Sequence, residues 1–157
     1  MIVYVDEAGI NNNEVYPYGW AFMGNRLLAE KPGERTQRIS IIGALNKNDF
    51  IAPLVFEGYT NKDVFVQYLE KVLLPVLQKG QVIVMDNAAF HKGNVIQQTI
   101  EAAGCFLKYL PTYSPDLNPI EHHWFSKKNC LRKNLQQCNY DLLKAAEFAF
   151  PLIGQPT

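Results

Sequence analysis

Near residue 60 the hydrophobic pattern changes period, and that change leaves few architectures open to the chain. Upstream, apolar stretches are short and strand-like at residues 1–6, 18–23, 37–45 and 50–56. They are separated by turn-prone Glu7-Ala8-Gly9, Asn11-Asn12-Asn13 and Lys31-Pro32-Gly33. Such a succession predicts an antiparallel meander. Downstream, Thr60 is placed to cap a helix with Asp63 three residues on, and Val64, Phe65, Tyr68, Leu69, Val72, Leu73 and Val76 recur at helical spacing toward Lys79-Gly80. Pro75 should kink that helix near its end. Residues 81–86, Gln-Val-Ile-Val-Met-Asp, are apolar without alternation, as in a strand covered on both faces. A helix from about 94 to 103 closed by Gly104, a strand over 105–110, a helix entered at Pro119 and an apolar helix over 141–150 ended by Pro151 complete the order.

Strands of one sheet joined by helical crossovers lie parallel with a right-handed connection. The expected fold is therefore α/β: three antiparallel strands followed by two parallel ones, flanked by helices, which is the RNase H-like arrangement. With 157 residues, 48% of them hydrophobic, the chain can bury one real core. Residues 1–150 read as a single domain, followed by a short tail over 151–157. No apolar run approaches the roughly 18 residues of a membrane span, and residues 1–6 meet an acid too early for a signal peptide. A soluble cytoplasmic protein is expected. Cys105, Cys130 and Cys138 are odd in number and lack Cys-x-x-Cys spacing, so they read as reduced thiols and not as a disulfide framework or zinc site.

Fifteen basic residues balance fifteen acidic ones, but unevenly along the chain. Residues 1–60 are net acidic and 105–157 net basic, and between His122 and Tyr140 there is no acid while Lys127, Lys128, Arg132 and Lys133 are all cationic. A localised basic stripe on a neutral protein suits a phosphate-bearing partner, and a solvated helix face has the same composition.

Two acids end apolar strands, Asp6 and Asp86. If those strands are parallel neighbours, about 4.8 Å apart, the carboxylates emerge side by side at one edge of the sheet. A third acid, Glu121, stands on a rigid entry to a helix, Leu110-Pro111-Thr112-Tyr113-Ser114-Pro115-Asp116-Leu117-Asn118-Pro119-Ile120-Glu121-His122-His123-Trp124. Its prolines hold the backbone extended until Pro119, which fits a helix's first position. Asn118 is a good N-cap, so Glu121 is either its capping-box partner or a carboxylate held at the mouth of a site. The bland reading of Asp6 or Asp86 is a strand-end residue capping the next turn. Three converging carboxylates cannot all ionise cheaply without a bound cation. Hard oxygen ligands suit Mg²⁺ or Mn²⁺, and two such ions about 3.5–4 Å apart support phosphoryl transfer.

The runs Asp86-Asn87-Ala88-Ala89-Phe90-His91-Lys92 and Leu110-Pro111-x-Tyr113-Ser114-Pro115-Asp116-Leu117-Asn118-Pro119-Ile120-Glu121-His122-x-Trp124 closely resemble the catalytic domain of DDE-type transposases of the mariner superfamily, in the bacterial insertion-sequence (six-thirty) branch. The 34 residues between Asp86 and Glu121 match that branch's spacing, and Val5-Asp6-Glu7-Ala8-Gly9 looks like its first-aspartate motif. The resemblance implies an RNase H-like domain in which Asp6, Asp86 and Glu121 bind two Mg²⁺ or Mn²⁺ ions. It further implies hydrolysis at transposon ends and attack of the freed 3′-OH on target DNA, typically at a TA dinucleotide, in cut-and-paste transposition. The implied partners are double-stranded DNA and a second copy of the chain on it, in the bacterial nucleoid, with no membrane. Relatives carry helix-turn-helix modules before this domain, and only five residues precede Asp6 here. That leaves open a separately encoded helix-turn-helix half or a truncated, inactive or regulatory remnant. A different RNase H-like nuclease is disfavoured by the Ser-Pro-Asp-Leu-Asn-Pro-Ile-Glu motif.

Helix spacing adds two basic candidates. Phe125, Lys128 and Arg132 follow Glu121 by about one, two and three turns, and the two basic residues would hold a DNA phosphate near the metals, whereas Ile120, Trp124, Leu131 and Leu135 share the opposite, core side. Asn87 and His91 either orient metal ligands or the substrate strand, or stabilise a strand-to-helix loop. His122 and His123 point in different directions, so they are not expected to share a metal.

Overall fold

A computed structural model describes residues 1–12, 23 and 37–150. Among the described residues, five strands form one sheet in the order β3-β2-β1-β4-β5, from β1 (Ile2–Asn11), β2 (Arg38–Asn46), β3 (Asp49–Glu57), β4 (Val82–Met85) and β5 (Phe106–Tyr109). β1 pairs antiparallel with β2, β2 antiparallel with β3, and β4 lies parallel to both β1 and β5. This is the expected RNase H-like sheet. The strand expected at 18–23 and the turn at 31–33 lie outside the described residues, Met23 excepted, as does the tail from 151. Among the described residues no helix is long and apolar enough to cross a membrane.

Two cores cover the two faces. On one, α3 (Ile120–Asn134) and α4 (Leu142–Ala149) pack against Ala8, Ile10, Ile39, Ile41 and Leu45. On the other, α1 (Lys62–Tyr68) and α2 (Asn94–Ala102) pack against Val3, Val5, Ile42, Ala44, Ile83 and Met85. Odd and even positions of β1 thus serve opposite faces, as the two-residue period of a strand requires.

The first strand departs from its expectation. It does not end at Asp6, and Glu7-Ala8-Gly9 is no turn, because β2 ladders with β1 from Val3↔Asn46 to Asn11↔Arg38. A Cβ on Gly9 would lie 2.1 Å from the Arg38 guanidinium, the end of a flexible side chain that could swing aside. What does end near Asp6 is the parallel pairing, whose last rung is Val5↔Met85. Asp6 and Asp86 are therefore each one residue past the point where β1 and β4 part.

Opposite Asp6 stands Gly43. A Cβ on Gly43 would meet the Phe50 ring at 2.2 Å, so the missing side chain is what lets that ring lie over the strand. β3 makes room by a bulge, with Ile42↔Leu54 followed by Ala44↔Ile51, Ala52 at φ 51° and Pro53 in the slack where no ladder donor is needed. Phe50 then packs edge-on against Trp124, ring centroids 5.3 Å apart.

The helices differ in detail. Asn61, not Thr60, caps α1 by accepting from the Val64 N–H at 2.9 Å. In place of one kinked helix, α1 loosens into a π turn at Leu69–Leu73 and a 3₁₀ turn at Leu74–Val76. Pro75 has no N–H to donate and its ring displaces the carbonyl four residues back, so the last turns cannot keep α-helical spacing. α2 closes at Gly104 with φ 78°, and Asp141 caps α4 through the N–H groups of Leu143 and Lys144.

Candidate active site

Three separate stretches supply the acids of one cavity: the middle of β1, the loop after β4, and the first turn of α3. Asp6, Asp86 and Glu121 all line a cavity of about 420 Å³, walled by Asn87 and the proline-rich loop from Leu110 to Pro115. The loop does not stay extended as far as Pro119, as its prolines lead one to expect: Tyr113 is left-handed at φ 59° and Pro115–Leu117 form a 3₁₀ turn, because proline fixes only its own φ, a value that also fits the start of such a turn. Asn118 is extended (φ −102°, ψ 100°) with Pro119 already helical (φ −66°, ψ −16°), and Asn118 Oδ1 accepts from the Ile120 N–H at 3.4 Å. No capping box forms, because the Asn118 N–H donates to the Pro115 carbonyl at 2.9 Å. Glu121 is thereby exposed in the first turn of α3 at the cavity wall.

Asp6 is only 8% exposed. Its Oδ2 accepts from the Trp124 indole Nε1–H at 3.1 Å. Burial first, then the charge of Glu7 and more weakly that of Glu121, push its carboxyl from 3.8 up to about 7, against the Glu7 backbone N–H and the Trp124 bond. Asp86 lives differently. Its side chain is 48% exposed, and its Oδ1 meets His91 Nδ1 at 2.6 Å and the Ala88 N–H at 3.1 Å. The His91 bond holds the Asp86 carboxyl below the usual carboxylate range despite partial burial.

His91 itself is fully buried and reaches across the end of the sheet: its Nε2 lies 3.1 Å from Glu7 Oε2. Burial pulls the imidazole down, but the bonds to Asp86 and then Glu7 outweigh it and raise the ring to about 9. Both ring nitrogens therefore donate at neutral pH. Phe65 and Phe90 pack on the ring at 4.5 and 4.4 Å between centroids, and the Tyr109 hydroxyl donates to the His91 carbonyl at 2.7 Å.

The three expected acids share the walls of a cavity and do not converge on one point. Among the described residues, no three carboxylate, imidazole or thiol groups are gathered closely enough to hold an ion as placed. Each aspartate is turned toward a protein donor instead, Asp6 toward Trp124 and Asp86 toward His91. The donor set nonetheless fits a hard divalent cation. Carboxylate oxygens from three elements face one cavity, and a buried acid is pushed to about 7 partly by its acidic neighbours. A cation there would relieve that repulsion.

Asn87 lines the cavity. Lys128 and Arg132 are half-buried further along α3 and do not line it. Lys127 leaves the basic stripe altogether: its Nζ donates to the Ala149 carbonyl at 2.6 Å and sits over the Phe150 and Phe50 rings. Two partners were missed in the sequence. Local sequence preference places Glu7 in a turn, yet as part of β1 it points to the face opposite Asp6 and meets His91. Helical spacing places Trp124 in the core, where it is 3% exposed, but it also donates to Asp6. The only available signal was the need of a buried indole N–H for an acceptor.

Over residues 1–143 the chain matches the family described as DDE superfamily endonuclease. A curated relative, the Insertion element IS630 uncharacterized 39 kDa protein of Shigella sonnei, is 24% identical over 147 residues, covering 91% of this chain and 42% of the relative. The chain thus spans less than half the length of the curated relative it matches. Among solved structures, the crystal structure of the Mos1 Strand Transfer Complex superposes with a TM-score of 0.66 at 19% identity, covering 96% of this chain and 49% of that one. The structure of Mos1 transposase catalytic domain and Raltegravir with Mg gives 0.55 at 19% identity, covering 82% and 59%. At these identities the likeness establishes a shared fold.

Proposed function

The chain belongs to the DDE superfamily endonucleases, and from that premise we propose that it is the catalytic domain of a DDE transposase acting on DNA phosphodiesters. The observation that carries the reading is the common cavity of Asp6, Asp86 and Glu121, which come from positions far apart in the chain. Water attacks a phosphorus at a transposon end, the bond to the 3′ oxygen breaks, and a 3′-OH and a 5′-phosphate remain. That 3′-OH then attacks a target phosphodiester, at a TA dinucleotide, forming one P–O bond as another breaks. Asp6, Asp86 and Glu121 would hold Mg²⁺ or Mn²⁺, two ions in this reading, whose bound charge lowers the cost of the attacking and leaving oxygens.

The chain's own residues do the rest. His91 keeps Asp86 ionised and holds its Oδ1, and Asn87 at the cavity wall orients the substrate strand. Lys128 and Arg132 hold a flanking phosphate about two and three turns along α3 from Glu121. Recognition of transposon ends is assigned to a helix-turn-helix half, and the working form to a dimer on DNA in the nucleoid. Residues 1–150 constitute the catalytic domain.

A nicking assay on supercoiled plasmid in Mg²⁺ or Mn²⁺, with Asp86→Asn beside the parent chain, tests this. Metal-dependent nicking should fall on the order of 10³-fold in the variant, since the lost interaction is of several kcal/mol. No cleavage by the parent chain would replace the enzyme with a non-catalytic, regulatory remnant.

A further inference from the structure

We propose that Trp124 is a positioning residue for Asp6, and that α3 therefore delivers the third acid of the cavity and orients the first. The proposal rests on the catalytic reading above. Glu121 and Trp124 are three residues apart on α3, so one turn of one helix carries both. Glu121 faces the cavity, while Trp124 turns inward and donates its indole N–H to Asp6 Oδ2 at 3.1 Å across 118 residues of sequence.

Packing holds the indole in that orientation. Phe50 lies edge-on to it at 5.3 Å and Phe150 tilts against it at 6.3 Å. Phe50 in turn occupies the space left by Gly43, which stands directly opposite Asp6 on β2. The donor thus approaches Asp6 from the core side, away from the cavity. A buried carboxylate with an unfixed rotamer would lose its orientation toward a ligand, and a single N–H donor at fixed distance removes that freedom. A buried indole N–H needs an acceptor in any case, and here the acceptor is a wall of the cavity. The N–H bond to the one deeply buried acid among the cavity's three is what separates this role from packing.

The test separates ring from N–H. Trp124→Phe keeps an aromatic ring but deletes the donor, whereas Phe50→Leu loosens the packing and leaves the donor in place. Mn²⁺ affinity is read by electron paramagnetic resonance of the free ion, with thermal unfolding alongside. Trp124→Phe is expected to weaken Mn²⁺ binding roughly 10-fold, while Phe50→Leu lowers the melting temperature and leaves Mn²⁺ affinity within about twofold of the parent. If Trp124→Phe does not fold, benzothienylalanine at position 124, with sulfur in place of the N–H, takes its place with the same expectation. Parent-like Mn²⁺ affinity in the donor-deleted chain overturns the proposal. So does a loss in both variants that follows their loss of stability. Absence of Mn²⁺ binding by the parent chain overturns the catalytic reading itself, and is told apart from the other outcomes by the parent measurement alone.

Discussion

Asp6 and Asp86 occupy equivalent positions, each one residue past the last rung joining two parallel strands, yet the protein treats them in opposite ways. Asp6 is inside the structure with acidic neighbours, and its carboxyl is pushed up to about 7. Asp86 is half outside and beside a buried imidazolium, and its carboxyl is pushed down. The difference arises from β1 running on past Asp6 into the ladder with β2, while β4 stops at Met85 and lets its acid swing into a loop. Equivalent register therefore does not give equivalent electrostatics. One acid keeps its proton up to about pH 7 in the absence of a cation, the other is held ionised by a protein cation.

The largest effect expected from this contrast is a stabilisation on removing Asp6. In the unfolded chain the carboxyl ionises near 3.8 and in the folded chain at about 7. Its contribution to stability is thus intact below pH 4 and is lost as pH rises to 7, by about 4 kcal/mol. Asp6→Asn should be more stable than the parent by up to that amount at pH 8 and equal to it at pH 4, in urea unfolding with a chelator present. A pH-independent difference would break the contrast.

Asp86→Asn should do the reverse. It removes the shorter of His91's two carboxylate contacts and leaves a fully buried imidazolium with Glu7 alone, which is expected to cost about 1–3 kcal/mol at pH 7, Asp86 being half exposed. The His91 ring is raised from 6.5 to about 9, so its stabilisation is complete below pH 6.5 and is lost as pH rises through 9. The deficit of Asp86→Asn should therefore shrink above pH 9 in the same unfolding series. A third measurement sharpens the comparison through proton release. Under the proposed function, divalent binding at pH 6 should expel about one proton, from Asp6 and not from Asp86, and close to none at pH 8, above the Asp6 ionisation and below that of His91. Calorimetry in buffers of different ionisation enthalpy reads that number, and equal release at both pH values would show that Asp6 is not a ligand.

What could be foreseen of this contrast, and what could not, follows from the range of the interactions. Residues 81–86 read as a strand because an apolar run bounded by Gly80 and Asp86 has few other solutions, and α3 starts directly after Pro119, whose fixed φ suits a helix entry. The extent of β1 was not legible, because Gly9 is a turn residue by local preference and becomes a strand residue only through pairing with β2. The same ladder decides that Glu7 faces His91, 84 positions away. Trp124's bond to Asp6 was hidden for a similar reason: helical periodicity identifies the buried side of α3 but not the acceptor that waits there. The acids were legible as residues. Their partners depend on which face each side chain takes, and that is tertiary information.

The smallest expected effect isolates burial from charge. Tyr68 is 1% exposed between Phe65 and the sheet, and among the described residues its hydroxyl has no hydrogen-bond partner. Burial raises its ionisation as it raises that of Asp6, but a phenol is neutral on either side of the shift throughout the pH range where the two acids diverge. Tyr68→Phe removes a buried donor that lacks an acceptor, so it should leave stability unchanged or raise it by up to about 1 kcal/mol, and by the same amount at every pH from 5 to 9. Urea unfolding across that range distinguishes the two cases. A flat response beside the steep one of Asp6→Asn assigns the steepness to the ionised carboxylate, whereas a pH-dependent gain in Tyr68→Phe would mean that burial alone, without charge, sets the behaviour attributed to Asp6.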